Sequence, residues 1–346
     1  MVIIATGISG AGKKEYLKRF EKYASSLGKR VKIYHVGELL LARAAEDGLN
    51  ITHKNILNTN KHTIVALRSA VYESILNDYE KNKKKYDVVI VSIHGFFYWK
   101  KTFHHSYDHS YINKFNPDLF MTIMGDAVDI KKELDVREQR KEEKLSLEEI
   151  LLWQNVETEV MMTWAGLNGK PFYAFFNTQS LATFYKLAFL PEMETVYLSM
   201  PMTHLKDEKD KKRIVEFAKK LEEYFTVFVP LEGKGGLPDV NAGLSADTLA
   251  EYTTSHQAVK VDLDLLLNQS KRIIVFFPKA VSSPGAINEL REAHETNKGA
   301  WVIYPSETVS PFLTFYLDKS FKDEKDFFVF LKREQKGKKR FTEKLN

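Results

Sequence analysis

Short apolar runs recur along the chain, and the stretches between them repeat their apolar positions at helical spacing. Residues 2–5 are apolar and mostly β-branched, which predicts a buried strand, and a helix follows over 14–23. Similar runs at 29–36, 86–93, 119–124 and 172–176 predict further strands, interleaved with or followed by helices over 38–46, 60–81, 147–167 and 180–189. After a linker at 191–194 the pattern restarts, with strands at 195–199, 226–230, 272–277 and 300–304 and helices over 208–224, 246–268 and 285–297. Strands that alternate with helices predict parallel sheets whose ligand sites lie at the carboxyl ends of the strands. The fold class is therefore α/β, with a first three-layer domain over 1–190, a second over 195–330 and a basic tail over 331–346.

Composition narrows this picture without changing it. The chain has 346 residues, 44% hydrophobic and 28% charged, the balance of a soluble globular protein of two domains. It has no cysteine, which excludes disulfides, thiol catalysis and thiolate metal sites and points to a reducing, cytoplasmic setting. No apolar run is long enough for a bilayer span, and the chain opens directly on a strand, so neither a membrane nor a targeting segment is expected. The net charge of +5 is modest. Its basic excess gathers in the tail, at Lys332, Arg333, Lys336, Lys338, Lys339, Arg340 and Lys344, and reads as a solvated end rather than a nucleic-acid contact.

The first candidate chemistry sits between the first strand and the first helix. Gly7, Ser9, Gly10, Ala11, Gly12 and Lys13 form a glycine-rich loop in the strand–loop–helix context of a phosphate-binding P-loop. Backbone N–H groups there converge on phosphate oxygens, the helix N-terminus adds positive potential, and Lys13 reaches the outer phosphates. ATP is the expected cofactor. The motif normally closes on a serine or threonine that holds Mg²⁺, and here it closes on Lys14, whose ammonium cannot ligate a cation.

The order of these pieces resembles the archaeal-type adenylate kinases, a P-loop nucleoside monophosphate kinase family. Besides Gly7 to Lys13, the resemblance rests on His94 after the third strand and on Pro117-Asp118 before the fourth. It also rests on the basic Arg137-Glu138-Gln139-Arg140, on the long helix carrying Trp153-Gln154-Asn155 and Met161 to Ala165, and on the turn Leu167-Asn168-Gly169. It implies that Arg137 and Arg140 belong to a short lid acting on the transferring phosphates, with His94 on the substrate side. The bland alternative for the two arginines is a solvated helix end. The family has an acidic residue two positions before the histidine that helps organise the metal; here that position is Ser92. With Lys14, both expected contacts for Mg²⁺ are missing, so a Mg²⁺ requirement stays open and no metal site is assigned. His104, His105, Asp108 and His109 read as an exposed aromatic and polar loop, since no carboxylate cluster accompanies them.

The second half resembles the nucleoside 2-deoxyribosyltransferase family, which includes the 2′-deoxynucleoside 5′-monophosphate N-glycosidases. The resemblance covers about residues 195–305. It is carried by Tyr197-Leu198-Ser199-Met200-Pro201-Met202 at a strand end, by Asp262 and Asp264 before the strand at 272–277, and by Ser283-Pro284-Gly285-Ala286-Ile287-Asn288-Glu289-Leu290 opening a helix. It implies that Glu289 lies beneath the anomeric carbon as nucleophile or charge stabiliser, since N-glycoside cleavage passes through an oxocarbenium-like state. Asp264, with Asp262 as second choice, would protonate or position the leaving base. Tyr197 would orient Glu289 or the sugar, Pro201 would shape the substrate loop, and Ser283 with the backbone at Gly285 would hold a 5′-phosphate or 5′-hydroxyl. Met200 stands where the family commonly has glycine, and the loop 232–244 lies over the site.

Together these features predict a nucleotide-metabolising enzyme acting at an N-glycosidic bond through Glu289, with a nucleotide-binding kinase-like domain. Hydrolysis, base exchange and action on a larger nucleotide such as NAD remain open. So do a working nucleoside monophosphate kinase with a ligand-binding second domain, and a nucleotide-gated regulator without turnover. The family resemblance also implies a homo-oligomer.

Overall fold

The computed structural model describes residues 1–140, 143–201, 207–230, 262–306 and 310–345. The chain divides into two compact units, one of Met1–Leu181 and the other, among the described residues, from Ala182 onward.

In the first unit β1 (Val2–Thr6) runs into α1 (Lys13–Ser26), then β2 (Val31–His35), α2 (Val36–Glu46) and α3 (Lys61–Asn82). After β3 (Val88–Ser92) comes a hairpin of β4 (Phe96–Trp99) and β5 (Thr102–His105), then the short α4 (His109–Lys114). The unit closes with β6 (Leu119–Met124), α5 (Ala127–Val136), α6 (Leu147–Leu167) and β7 (Phe172–Phe176). The main sheet has the order β2-β3-β1-β6-β7 and every pairing in it is parallel. All of β1 is buried, which requires cover on both faces of the sheet and explains why the strand is an unbroken apolar run. The chain leaves β1 toward β2 on one side and reaches β6 on the other. The crevice at this reversal, at the carboxyl ends of β1, β3 and β6, is where such sheets bind ligands.

The second unit contains α7 (Leu181–Phe189), β8 (Thr195–Ser199), α8 (Glu208–Leu221), β9 (Thr226–Phe228), the π-helical turn Asp262–Leu267 and β10 (Arg272–Phe276). It continues through α9 (Pro284–Glu295), β11 (Gly299–Ile303), α10 (Pro311–Thr314), β12 (Lys319–Phe321) and α11 (Glu324–Leu345). Its sheet, also parallel, has the order β12-β11-β10-β8-β9. Phe217 of α8 stacks on Phe276 of β10 with ring centroids 4.2 Å apart, and Phe327 and Phe328 of α11 complete that aromatic core. Here again the chain departs β8 in opposite directions, and the crevice falls at the ends of β8 and β10.

The helix expected to close the first domain belongs by its contacts to the second unit. On α7, Thr183 donates to the Val227 carbonyl at 2.7 Å and the Lys186 ammonium donates to the Phe225 carbonyl at 3.1 Å. Its burial of Phe184 and Leu187 carried no label of which sheet they cover. The segment expected as an exposed loop is in part the β4–β5 hairpin, and the tail from Lys332 continues α11. The loop 232–244 and most of the helix expected over 246–268 lie outside the described residues.

Candidate functional sites

The loop after β1 is shaped by what a side chain would strike. A Cβ at Gly7 (φ +152) would stand 2.3 Å from the Ile123 carbonyl oxygen of β6, and Gly12 (φ +69) is the left-handed residue that starts α1. Gly7→Ala must push two paired strands apart. We expect it to cost on the order of 2 kcal/mol of stability, read by urea unfolding, together with loss of nucleotide binding.

Lys13 is buried and its ammonium donates to the carbonyl of Ile93, the residue after β3. Its nearest counter-charge is Glu157 of α6, a residue that the sequence reading missed. Glu157 is fully buried. Its Oε1 accepts the Gly7 N–H at 3.2 Å and the Gly95 N–H at 2.8 Å, and its Oε2 accepts the Phe96 N–H at 2.8 Å. One carboxylate thus ties the start of the P-loop to the segment after β3. Burial raises the pKa of Glu157, while the three N–H donors and Lys13 pull it down. The signal for it was present in the sequence: on α6 the buried positions Ile150, Trp153, Gln154, Glu157, Met161 and Trp164 follow helical spacing, and a carboxylate inside such a stripe must be partnered.

Burial lowers the Lys13 pKa to about 8, against the raising pull of Glu157. The empty site therefore loses the lysine's charge as pH rises through 8, whereas bound phosphates favour the charged form. Nucleotide affinity should be flat near neutrality and fall by up to about tenfold per pH unit above 8, with proton uptake on binding. Calorimetry in buffers of different ionisation enthalpy checks both. His94 is held neutral, chiefly by burial and then by the Lys13 charge, and its ring lies 4.8 Å from that of Phe97.

Ser9 and Gly10 lie half-buried along the loop. The Ala11 carbonyl accepts from the Asn177 side chain at 3.1 Å. Lys14 is exposed and paired with Glu38. Ser92 is buried in β3, and both oxygens of Glu157 are committed to backbone donors. These residues do not fit a protein-held Mg²⁺. Among the described residues no group of three or more His, Asp or Glu side chains is placed to hold a metal ion. Asp108 instead caps α4, accepting from the Ser110 and Tyr111 N–H groups.

Arg137 and Arg140 differ. Arg137 is exposed and paired with Glu133 at 3.0 Å. Arg140 does not stand at a solvated helix end. It is buried, donates to the Tyr98 carbonyl at 2.8 Å and to Glu143 at 3.0 Å, and its guanidinium lies 4.6 Å from the Trp153 ring centroid. Those contacts make Arg140 the bolt between the β4–β5 hairpin and the segment after α5. The charges of Lys13, Arg140 and Arg137 add to burial in lowering the pKa of His94.

Beside that site lies a cavity of about 640 Å³, bounded by α2, the segment 56–60, α3 and the hairpin, with Ile93 and His94 in its wall.

In the second unit Glu289, on the second turn of α9, meets the end of β8. Its Oε1 accepts from the Tyr197 hydroxyl at 2.9 Å and its Oε2 from the Ser199 hydroxyl. Burial raises the Glu289 pKa, and the two hydroxyls counter it. Ser199 was not singled out in the sequence; its alternation with Tyr197 along one strand was the available sign. Pro201 is buried just beyond. Ser283 is buried and accepts the Ala286 N–H at 3.3 Å as the cap of α9, so its hydroxyl is already engaged as the helix cap. Gly285 is exposed with open space where a Cβ would stand. Asp264 is exposed on the turn Asp262–Leu267, which packs against α9, while the side chain of Asp262 lies outside the described residues.

Residues 6–151 match the family model described as an AAA domain. The matched stretch holds the glycine-rich loop, His94, Arg137 and Arg140, and makes the first unit similar to P-loop-type domains. No curated protein matches the chain. Among solved structures, TT1252 from Thermus thermophilus is similar at 13% identity and a TM-score of 0.31, covering 52% of this chain and 90% of that one. An uncharacterized protein from Eubacterium ventriosum ATCC 27560 is similar at 13% identity and a TM-score of 0.26, covering 55% and 97%. Among the described residues no helix is long and apolar enough to cross a membrane.

Proposed function

We propose that the chain is a nucleotide-metabolising enzyme that breaks or exchanges the N-glycosidic bond of a nucleoside or nucleotide at Glu289, with ATP bound at the P-loop of the first unit. The observation that carries this reading is the carboxylate of Glu289 held from both sides by the hydroxyls of Tyr197 and Ser199 at the reversal point of the second sheet. The two donors counter the burial that raises the carboxyl's pKa and fix its orientation, and an oriented carboxylate is what an oxocarbenium-like transition state needs beneath the anomeric carbon. The carbon–nitrogen bond breaks with its electron pair leaving on the base. Glu289 either bonds to the sugar or stabilises its charge until water or a second base attacks. Asp264 is the candidate that protonates the departing base, and the open helix start at Gly285 supports a 5′-oxygen or phosphate. Substrate and ATP belong to one chemical class, which gives the fusion of the two units its sense.

The test is free-base release, followed by chromatography, from nucleoside monophosphates, deoxynucleosides and NAD, with and without ATP. Release that disappears in Glu289→Ala supports the reading. No release from any of them, or release that survives the substitution, overturns it.

A further inference from the structure

The cavity of the first unit has a composition that the P-loop does not explain. Arg68, on α3, lines it and is only 7% exposed. Among the described residues its guanidinium has no hydrogen-bond acceptor and no ion-pair partner. The nearest carboxylate whose charge it feels, Asp108, spends its Oδ1 on the Ser110 hydroxyl and on capping α4. Its nitrogens are not among the buried side-chain atoms that lack a partner, so the guanidinium meets solvent through the cavity it lines, where an arriving oxyanion can pair with it in bidentate geometry. No aspartate or glutamate lines the cavity, and Lys61 and Lys100 stand exposed on its wall. The rest of the wall is largely apolar, with Leu40, Ile64, Ile93, Phe97 and Phe103.

Three polar side chains of the wall are engaged, while Nδ1 of His94 is buried there without a partner. Asn58 accepts from the Trp99 indole at 3.2 Å, Asn60 caps α3 through the His62 N–H at 2.9 Å, and the Ser106 hydroxyl donates to the His94 carbonyl at 2.7 Å. A volume of about 640 Å³ is that of a small-molecule site.

We propose that this cavity binds an amphipathic acid, an oxyanion carried on an apolar body, with the oxyanion on Arg68 and the apolar body against Leu40, Ile64 and Phe97. Because Ile93 and His94 form part of the same wall and Ile93 also holds Lys13, the occupant lies next to the P-loop. Its binding is independent of the chemistry assigned to Glu289.

The probe is 1-anilinonaphthalene-8-sulfonate, an aromatic sulfonate, titrated by fluorescence into the full chain, with octanoate and adenosine monophosphate as competitors. Saturable binding at one site, weakened at least about tenfold in Arg68→Met, retained in Arg68→Lys and displaced by octanoate, is the expected result. Ile64→Trp, which fills the cavity without touching the guanidinium, should block the probe while leaving the far-ultraviolet circular dichroism unchanged. It keeps the test decisive if Arg68→Met fails to fold. Probe binding that is indifferent to both Arg68→Met and Ile64→Trp overturns the proposal. So does displacement by adenosine monophosphate at concentrations where octanoate has no effect, which would make the cavity a nucleotide site.

Discussion

Glu289→Gln should lower the rate of base release by about 10³-fold or more while raising the melting temperature at neutral pH. The loss follows from removing the negative charge from a side chain whose two oxygens are otherwise held in place, since glutamine keeps the size and much of the hydrogen bonding to Tyr197 and Ser199. The gain in stability follows from the sign of its titration. The carboxyl is raised by burial in the folded chain, so folding favours its protonated form. That contribution is fully present below the unfolded carboxylate's pKa and is lost as pH rises through the folded one. An uncharged glutamine escapes the loss. Melting curves from acid to neutral pH should therefore diverge, with the variant gaining on the parent as pH rises. A variant that is both inactive and less stable at neutral pH would indicate a structural carboxylate and would sink the catalytic assignment.

Glu157→Ala should be the most damaging single substitution in the first unit. It leaves the N–H groups of Gly7, Gly95 and Phe96 buried without an acceptor, at roughly 1–3 kcal/mol each, so a total of about 3 kcal/mol or more is expected. It also removes the counter-charge that opposes the loss of the Lys13 proton. Surviving folded protein should show nucleotide affinity that begins to fall at lower pH than in the parent. Lys13→Arg in the same background should remove that pH dependence, because a guanidinium stays charged. Urea unfolding and calorimetry at several pH values measure the two effects separately. Wild-type stability in Glu157→Ala would refute the claim that this carboxylate ties the loop to the β3 segment.

The runs at 119–124, 172–176 and 195–199 coincide with β6, β7 and β8 because short runs rich in apolar, aromatic and β-branched residues mark strands packed into a core. The β4–β5 hairpin escaped the reading because its turn is built from Lys100 and Lys101 at φ 49° and 59°, where glycine or asparagine is the usual sign. α5 escaped too, although Asp126 caps it through Val128 and Asp129. The P-loop was legible because its chemistry is local. The pairing of Tyr197 with Glu289 spans 92 positions and was visible only through a family pattern. Arg68 was not read, since burial turns an ordinary charged residue into a site and burial is a property of packing, whereas Glu157 was missed although its place in the apolar stripe of α6 was legible. The commitment of Arg140 to the hairpin is likewise a tertiary fact.

The position of β1 in its sheet has a consequence for biosynthesis. The strand is made before both of its partners, since Ile3 pairs with Ile90 on one side and Leu119 on the other. Until the ribosome has released β6, the strand is an unpaired apolar edge and the P-loop has no wall to close against. Chains that stall or are cut before Met124 should therefore be recruited by chaperones and proteases rather than rescued by nucleotide.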